Sequence, residues 1–524
     1  MSELGAHRAR GRRASVRARG FGAALVLLGA VTLIVALEAP SCARIRRQGP
    51  DVWVNPGVRA GGNIDANNSP SLAQDPVDPA VLALANRIDT PVYSCALSVS
   101  RNGGRSWSAA RIPLPAGDRK CYAPDVAFGP RGTLYIVFVT LHGFGNGPDG
   151  VWLVRSNSGG RTLSAPRRVL GAPAFQVRLA TDPARPRRLY LTWVQATATN
   201  LDGYSTLENP IEAMRSDDGG LHWSRALRVS SARRERVVSP VPEVGPGGVV
   251  YVLYLDLGGD ALDYEGAGGG FGGPPYARRF SLVLARSLDA GSTWQESVVS
   301  DSIVPTRRFI AFLAPYPTLA MDRRSGRIYV AFEDARLGDP DVYLWTLPPA
   351  AREWSAPVRV NDTPPHDGTW QYLPALSVAP DGRLDVVYYD RRSDRSDRLS
   401  TVSLQSSFDN GRTFTGPLTL TTHSFDSQIG YGSGRGLADL GNRSALLSDN
   451  SSALAAWADT RFGTVLSGKQ DIAFARVSFA TAAGLSAPFG VLLLAAGAAL
   501  ALLGVALQAY AWRLRAVGAS RRSA

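Results

Sequence analysis

Short runs of alternating apolar and polar residues, separated by turn residues, fill most of the chain between residues 51 and 480. Runs such as PDVAFGPRGTLYIVFV, from residue 124, and PALSVAPDGRLDVVYYD, from residue 374, predict two strands joined by a Gly/Asp/Pro turn. A third strand then leads into a recurring ten-residue phrase, and a fourth strand leaves it. Four short antiparallel strands, repeated along the chain, predict the blades of an all-β propeller.

The recurring phrase has the form of RSDDGGLHWS, residues 215–224, and occurs five times. Aligned on their serines, the copies lie 56, 60, 71 and 120 residues apart. The last interval is twice the usual one, and Trp354 keeps the aromatic offset, so we expect a degenerate copy near residue 347. The period is therefore about 60 residues, as in repeat proteins built from one supersecondary unit.

The phrase is predicted to be the turn between the third and fourth strands. Its Ser and Asp side chains can bond to the backbone of their own turn, and its glycine supplies a positive φ. The aromatic residue is expected to pack inward between blades. We assign this structural role to Ser100, Asn102, Gly104, Trp107, Ser156, Gly160, Ser216, Asp218, Gly220, Trp223, Ser287, Asp289, Gly291, Trp294, Ser407, Asp409, Gly411 and Phe414.

Seven units can be counted, beginning near residues 70, 124, 177, 240, 317, 374 and 437. They predict a seven-bladed propeller, with six blades as the alternative. The seventh unit has three strands, while an additional strand, DVWVNP, precedes the first unit. We expect this N-terminal strand to complete the last blade and close the ring, because closure removes exposed sheet edges.

Two uncharged hydrophobic runs, residues 21–37 and 485–510, flank the repeated region and predict N- and C-terminal transmembrane helices. Arginines border both runs, and positive residues stay in the cytoplasm. We therefore expect residues 1–20 and 511–524 to be cytoplasmic, and the propeller, residues 48–480, to lie outside the plasma membrane. The first run is a signal anchor or, alternatively, a cleaved signal peptide.

Most of the net charge of +13 lies at the chain ends, so the nearly neutral middle gives no support for nucleic-acid binding. No histidine pair has metal-ligand spacing and no glycine-rich loop opens a helix, so we expect neither a metal nor a cofactor. In an oxidising compartment Cys95 and Cys121 are predicted to form a disulfide, the alternative being two free buried thiols.

The phrase resembles the Asp box, Ser-x-Asp-x-Gly-x-Thr-Trp, of the sialidase (BNR-repeat) superfamily, and the resemblance covers roughly residues 51–480. It implies boxes at the propeller periphery, away from the ligand. It also implies three arginines that clamp a substrate carboxylate, an aspartate acid/base, and a tyrosine nucleophile activated by a glutamate. The strand that opens the first blade, NSPSLAQDP, lacks the arginine expected there.

The loops between second and third strands, and between blades, should lie on the face opposite the boxes, where propellers usually bind ligands. The candidates on that face are Arg178, Asp263, Tyr264, Glu265, Arg307, Tyr316, His366, Asp367, Trp370 and Tyr372. Residues 263–265 are expected to form a mobile lid that carries an acid/base or, alternatively, a solvated insertion. Residues 366–372 are expected to form either a sugar-stacking rim or a loop that enters a strand. The tyrosines at blade entrances, Tyr122 among them, line the central depression or pack between blades.

An aspartate and an arginine also recur at the end of the second strand of three successive units: Asp334/Arg336, Asp390/Arg391 and Asp459/Arg461. This recurrence predicts a local ion pair that fixes the turn.

Two hypotheses of function follow. The first is a membrane-anchored, extracytoplasmic, sialidase-like propeller that binds a glycan or a surface protein partner without catalysis. The second is an exo-acting, retaining glycoside hydrolase on cell-surface or environmental glycans. The absent arginine and the count of seven blades favour the first, whereas the resemblance to sialidases favours the second.

Overall fold

A computed structural model of the chain describes residues 23–26, 44–60, 62–143, 145–171, 174–196, 209–234, 236–260, 276–306, 315–430, 439–480, 498–510 and 512–513. Two compact units are present: residues 46–478, and the two terminal regions up to residue 45 and from residue 479. In the terminal regions, residues 23–26, 498–510 and 512–513 are helical. No helix among the described residues is long and apolar enough to span a membrane. Most of residues 21–37 and half of residues 485–510 lie outside the described residues, so the two transmembrane helices stay a prediction.

The described residues contain thirty strands, arranged in seven sheets that we call blades 1 to 7. In chain order the strands are β1 (Arg44–Arg47) and β2 (Val52–Trp53); β3 (Asn67–Gln74), β4 (Leu82–Ile88), β5 (Ser94–Ser100) and β6 (Ser108–Ala110) in blade 1; β7 (Lys120–Phe128), β8 (Leu134–His142), β9 (Gly147–Ser156) and β10 (Arg167–Leu170) in blade 2; β11 (Ala174–Thr181), β12 (Leu189–Gln195), β13 (Ile211–Ser216) and β14 (Leu227–Arg228) in blade 3; β15 (Val237–Val244), β16 (Val250–Asp256), β17 (Phe280–Ser287) and β18 (Gln295–Ile303) in blade 4; β19 (Thr318–Met321), β20 (Ile328–Asp334), β21 (Asp341–Leu347) and β22 (Val358–Arg359) in blade 5; β23 (Gln371–Val378), β24 (Leu384–Asp390), β25 (Leu399–Ser407), β26 (Leu418–Thr419) and β27 (Phe425–Asp426) in blade 6; and β28 (Ala445–Ser448), β29 (Ser452–Asp459) and β30 (Asp471–Ala480) in blade 7.

The seven blades form a closed ring. The first strand of each blade lies beside the first strand of the next, and β28 of blade 7 returns to β3 of blade 1. Both β1 and β2 pair with β30, with Val52 opposite Phe474, so the N-terminal strands complete blade 7. The prediction of seven blades closed by the N-terminal strand is confirmed, and the six-bladed alternative is wrong.

The second strands form the centre of the blades because apolar residues fill almost every position in them. In β8, LYIVFVTLH, all residues but the last are buried. Neighbouring blades cover both faces of these strands, so residues of either orientation lose their contact with water. Trp193, Trp345 and Trp457, on second or third strands, are among the largest fully buried side chains.

The ring has two faces that differ in their connections. We call the side with the turns between first and second strands and with the boxes the turn face, and the opposite side the loop face. Ser478 of β30 lies opposite Ser452, next to the first turn of blade 7. The Ser478 hydroxyl donates to the Arg46 carbonyl at 3.2 Å, so residues 46 and 478 both lie on the turn face.

Each box is a turn that satisfies its own backbone. In blade 3 the Gly220 amide donates to Ser216 Oγ at 2.8 Å, and the His222 amide donates to Asp218 Oδ1 at 2.9 Å. The same bond from the glycine amide to the serine hydroxyl occurs in the other four boxes. Gly220 has φ +85°, and a Cβ there would overlap Leu153 of blade 2. The boxes therefore use their polar groups within the turn and bring neighbouring blades into contact.

A disulfide joins blades 1 and 2. It links Cys95 of β5 to Cys121 of β7, with 5.6 Å between their Cα atoms.

Candidate functional site

Five of the seven first strands, as far as the structure describes them, contain a bulge near their start. In β3 the pairing with β4 shifts between Asn68 and Ser71, and Ser69 between them has φ +52°. The same shift occurs in β7, β11, β15 and β23, with a positive φ at Ala123, Gln176, Ser239 and Leu373. A bulge leaves its extra residue outside the ladder. The carbonyls of the prolines that follow Ser69 and Ala123 are thereby available to other partners.

Arg443, which precedes β28 of blade 7, donates hydrogen bonds to these carbonyls. Its Nε donates to the Pro70 carbonyl at 3.2 Å, and its Nη2 donates to the Pro124 carbonyl at 2.8 Å. Its guanidinium carbon lies 5.7 Å from the ring centre of Tyr316, at the entrance of blade 5. One side chain thus connects blade 7 with blades 1, 2 and 5. This is possible only where the inner strands face one another, at the axis of the ring.

Arg178 of β11 reaches the same place from blade 3. Its guanidinium carbon is 5.3 Å from the centre of the Tyr316 ring, and its Nε is 3.2 Å from Asp125 Oδ2. The Arg178 side chain is 20% exposed, and its terminal nitrogens donate to none of the described residues. Unlike Arg443, which is held by carbonyls, Arg178 therefore has donors available for a ligand.

Tyr316 lies beside both of these arginines. The residue is 4% exposed, but its hydroxyl oxygen is not fully buried and makes no hydrogen bond with the described residues. Burial raises the pKa of Tyr316 to about 12, against the opposing charges of Arg443 and Arg178. Burial, together with the charge of Arg178, lowers the pKa of Arg443 to about 10. The phenol is therefore a neutral hydrogen-bond donor at neutral pH. We call Arg178, Tyr316 and Arg443 the axial cluster.

A third arginine, Arg87 of β4, lies close enough for its charge to contribute to lowering the pKa of Arg443. Its nitrogens donate to Asp89 Oδ2 at 3.0 Å, to the Tyr122 hydroxyl at 2.9 Å and to Asp439 Oδ2 at 2.6 Å. All of these residues are buried, and burial raises the pKa of Asp89 to about 6 although Arg87 opposes it. Arg87 is thus fully occupied by two carboxylates and a phenol, as expected for a buried charge that must be compensated.

The four candidates at residues 366–372 do not form a common rim. Tyr372 is fully buried, its ring stacks on Tyr389 at 5.2 Å, and its hydroxyl lies 2.9 Å from Ser400 Oγ. Asp367 Oδ1 accepts from the amide and the hydroxyl of Thr369, both at 2.9 Å. Of the two alternatives for this loop, a sugar-stacking rim and a loop that enters a strand, these contacts agree with the second, because Tyr372 is enclosed by the blades and Asp367 is used by its own turn.

Two other candidates of this loop have their own surroundings. Trp370 is half-buried, with the guanidinium carbon of Arg391 at 5.2 Å from its ring centre. His366 is exposed and has φ +59°. The candidates Asp263, Tyr264, Glu265 and Arg307 lie outside the described residues.

The recurring Asp–Arg pairs are local ion pairs in two of the three blades as expected. Arg336 Nη2 lies 2.5 Å from Asp334 Oδ2, and Arg461 Nη2 lies 2.8 Å from Asp459 Oδ2. In blade 6, however, the Asp390 carboxylate pairs with Arg392 at 2.6 Å and not with Arg391. The reason is spacing, since the arginine is two residues after the aspartate in all three pairs. The guanidinium of Arg391 instead lies 3.0 Å from the Asp397 carboxylate.

Another buried acid lies in blade 5 at the strand position that Arg87 occupies in blade 1. Glu333 of β20 is 3% exposed; its Oε2 accepts from the Leu373 amide at 2.8 Å and its Oε1 from the Thr306 hydroxyl at 3.2 Å. Burial raises the pKa of Glu333 to about 7. Arg87 and Glu333 were not among the sequence candidates. Their signal is a charge near the end of an otherwise apolar second strand, LALANRI or IYVAFED.

No family model and no curated protein sequence matches the chain. Among solved structures it is similar to a protein of unknown function from Dyadobacter fermentans, with 13% identity, 83% of this chain and 99% of that chain covered, and a TM-score of 0.46. It is also similar to the Hadza microbial sialidase Hz136, with 15% identity, coverage of 76% and 74%, and a TM-score of 0.43. For an α-L-arabinanase of Penicillium chrysogenum the identity is 18%, the coverage 68% and 97%, and the TM-score 0.41.

A sialidase is thus among the structures that this chain is similar to, as the resemblance of the boxes predicts. At these identities and TM-scores the likenesses carry no argument about ligand or activity. The class that the structure itself defines is the seven-bladed β-propeller, with an axial cluster of arginines and a tyrosine.

Proposed function

We propose that the protein is a membrane-anchored propeller outside the cytoplasm that binds a carboxylate-bearing glycan at the axial cluster, without turning it over. The observation that carries this proposal is the position of Arg178 and Tyr316. Both place hydrogen-bond donors without a described partner at the axis, and Arg443 adds a fixed positive charge beside them. A guanidinium fork and a neutral phenol suit a carboxylate and a neighbouring sugar hydroxyl.

The electrostatics of the cluster support binding of an anion. Arg178 and Arg443 are near enough for the charge of Arg178 to lower the pKa of Arg443, so the two cations repel each other. Asp125 is the carboxylate nearest to Arg178, and its Oδ2 also accepts from the Leu179 amide at 2.9 Å. A ligand carboxylate would reduce the repulsion between Arg178 and Arg443 that Asp125 alone does not compensate.

The same geometry supports binding rather than catalysis. A tyrosine nucleophile needs a base within hydrogen-bond reach or a lowered pKa. Burial raises the pKa of Tyr316 to about 12, and no carboxylate of the described residues accepts from its hydroxyl. Tyr122 is not suited to be a nucleophile either, because burial raises its pKa and its hydroxyl oxygen already accepts a hydrogen bond from Arg87.

Hydrolysis is the second candidate function, and Glu333 is the observation that favours it. With its pKa raised to about 7, this carboxyl is partly protonated at neutral pH, as a general acid must be. Against this role, both Glu333 oxygens already accept hydrogen bonds from the chain.

The test compares 3′-sialyllactose with lactose, its neutral counterpart, by titration calorimetry on the full-length protein in non-ionic detergent. We expect heat of binding for the acidic sugar alone, and at least about tenfold weaker binding for Arg178→Ala, since one charge-assisted pair is worth about 1.5–3 kcal/mol. Arg412→Ala, an exposed arginine of the blade 6 box, is the matched control. Equal affinities for both sugars would refute carboxylate recognition, and release of the fluorophore from a fluorogenic sialoside would establish hydrolysis instead.

Membrane anchoring and the external position of the propeller rest on the hydrophobic runs at residues 21–37 and 485–510 with their flanking arginines. The expected result of carbonate extraction is that the full-length protein stays in the membrane pellet. Protease added to intact cells should digest residues 48–480 and leave a C-terminal epitope protected. Digestion of that epitope in intact cells would contradict the proposed topology.

A further inference from the structure

A cleft of about 550 Å³ opens at the outer edge of blade 1, next to the box of blade 2. Its lining includes the apolar side chains of Val99 and Leu163. Three arginines line it, Arg101 and Arg111 from blade 1 and Arg161 from blade 2, and all three are exposed. The cleft is far too large for a simple ion, and its apolar side chains offer a surface for carbon atoms.

These arginines have no acidic counterpart in the cleft. Neither Asp nor Glu contributes to its lining, and no carboxylate of the described residues forms an ion pair with Arg101, Arg111 or Arg161. Burial and the charge of Arg161 both lower the pKa of Arg101, with Asp78 opposing them weakly. Arg101 and Arg161 therefore repel each other, and this repulsion is unfavourable unless an anion binds beside them.

Arg101 is also held in place. Its Nη2 donates to the Gly159 carbonyl in the blade 2 box at 2.9 Å, which holds the guanidinium against that box. The described residues offer no hydrogen-bond partner to the Arg111 side chain. Arg101, which is already positioned, and Arg111, whose donors are available, form a pre-organised anion site. Little further ordering is needed when the ligand binds.

A similar cleft at the outer edge of blade 3, next to the box of blade 4, measures about 210 Å³. Two arginines line it, and one of them, Arg215, pairs with Asp217 at 3.0 Å. The cleft between blades 1 and 2 is larger and has three arginines, none of which pairs with a carboxylate of the described residues.

We propose that the cleft between blades 1 and 2 binds a phosphate ester, with its phosphate on Arg101, Arg111 and Arg161 and its organic part on Val99 and Leu163. A phosphate monoester dianion offers three acceptor oxygens and carries more charge than a carboxylate, so it can bond to three separate guanidinium groups. The ester is either a small soluble organophosphate or the headgroup of phosphatidic acid, and both present a phosphate monoester.

The experiment is titration calorimetry on the full-length protein in non-ionic detergent with two probes. Glycerol 3-phosphate represents the soluble source, and dihexanoylphosphatidic acid below its critical micelle concentration represents the lipid. Binding of both probes means that the phosphate group suffices; binding of the lipid alone means that the acyl-bearing headgroup is required. In either case Arg161→Ala and Arg111→Ala should each weaken binding at least about tenfold. The affinity should also fall as salt is raised.

Arg111→Ala keeps the test valid if Arg161→Ala perturbs the box, since the Arg111 side chain makes no hydrogen bond within the described part of the chain. Arg225→Ala, in the cleft between blades 3 and 4, is the matched control and should leave the affinity within about twofold. No binding of either probe at millimolar concentration would overturn the proposal. So would binding that both cleft variants retain unchanged.

Discussion

The guanidinium carbon of Arg443 lies 5.7 Å from the ring centre of Tyr316, although Arg443 leads into blade 7 and Tyr316 into blade 5. The backbones meet at the same place, since the Tyr316 amide donates to the Asn442 carbonyl at 2.9 Å. Propellers surround a central channel. In this ring, side chains and backbone from non-adjacent blades meet across that channel, so the site proposed for the ligand is also a junction of the fold.

This double role predicts that Arg443→Met destabilises the protein. The variant leaves the Pro70 and Pro124 carbonyls without their donor, and unsatisfied buried groups cost about 1–3 kcal/mol each. We expect the free energy of unfolding, from denaturant titration, to fall by about 2–4 kcal/mol. Arg412→Met, at an exposed position, should change it by less than about 0.5 kcal/mol. Equal stabilities for the two variants would mean that Arg443 does not hold the ring together.

Glu333 predicts a pH dependence of stability. Its pKa is raised by burial from 4.5 to about 7, so the folded protein binds this proton more tightly than the unfolded chain does. The stabilisation is complete below about pH 4 and is lost as the pH rises through about 7. Glu333→Gln, which imitates the protonated acid, should therefore be the more stable protein at pH 8 and nearly equal to the parent at pH 4.5.

Denaturant unfolding of both proteins at pH 4.5 and pH 8 measures this effect. The difference between variant and parent should grow by about 1–3 kcal/mol toward pH 8, from the size of the pKa shift. Other buried acids with raised pKa values, such as Asp471, titrate in both proteins and cancel in the comparison. A difference that is the same at both pH values would show that Glu333 is already ionised in the folded state at the lower pH.

The repeated blades could be predicted from the sequence because their determinants are local. Strand alternation, turn residues and the boxes each occupy a few consecutive positions, and seven copies reinforce one another. The axial cluster could not be predicted, because its members come from different blades. Arg443 and the Pro124 carbonyl, for example, are 319 residues apart. The repeat pattern placed Arg178 in an inner strand and Tyr316 at a blade entrance, but it did not indicate that both lie next to Arg443.

The error in blade 6 has a different cause. Asp390 was paired with Arg391 from the letters YYDRR, whereas the repeat requires the residue two positions later, Arg392. For Tyr372 the sequence left open a place on a rim and a place between blades, and the ring is fully buried. In a strand a shift of one residue reverses the direction of a side chain, so such alternatives depend on an exact register.

The box glycines predict a contrast between two Gly→Ala variants. Gly220 and Gly326 have nearly the same φ, +85° and +77°. Alanine at either position is therefore destabilised by a similar backbone strain of about 1–2 kcal/mol. At Gly220 the new Cβ also overlaps Leu153 of the neighbouring blade, whereas Gly326 has nothing within 4 Å. Gly220→Ala should therefore lower the free energy of unfolding by a further 1–3 kcal/mol or so. Equal losses would mean that the boxes stabilise their own turn and not the contact between blades.

Closure of the ring can be tested at Asn55, which follows β2. Its Nδ2 donates to Asp471 Oδ1 at 2.8 Å, and its Oδ1 accepts from the Ile472 amide at 2.7 Å, so one buried side chain fastens the N-terminal segment to β30. Asn55→Ala leaves both partners unsatisfied and should cost about 2–4 kcal/mol. Asn157→Ala, an exposed asparagine in the blade 2 box, should cost less than about 1 kcal/mol.

Native-state hydrogen exchange locates the effect. If the N-terminal strands close the ring, Asn55→Ala should speed exchange at the amides of Val54 and Ile472 and along β30, while β8 of blade 2 keeps its protection. The reason is that the loss of one fastening opens the seam at blade 7 before any other blade interface separates. Faster exchange spread evenly over all blades would mean that the seam is no weaker than the other interfaces and that closure depends on the whole ring.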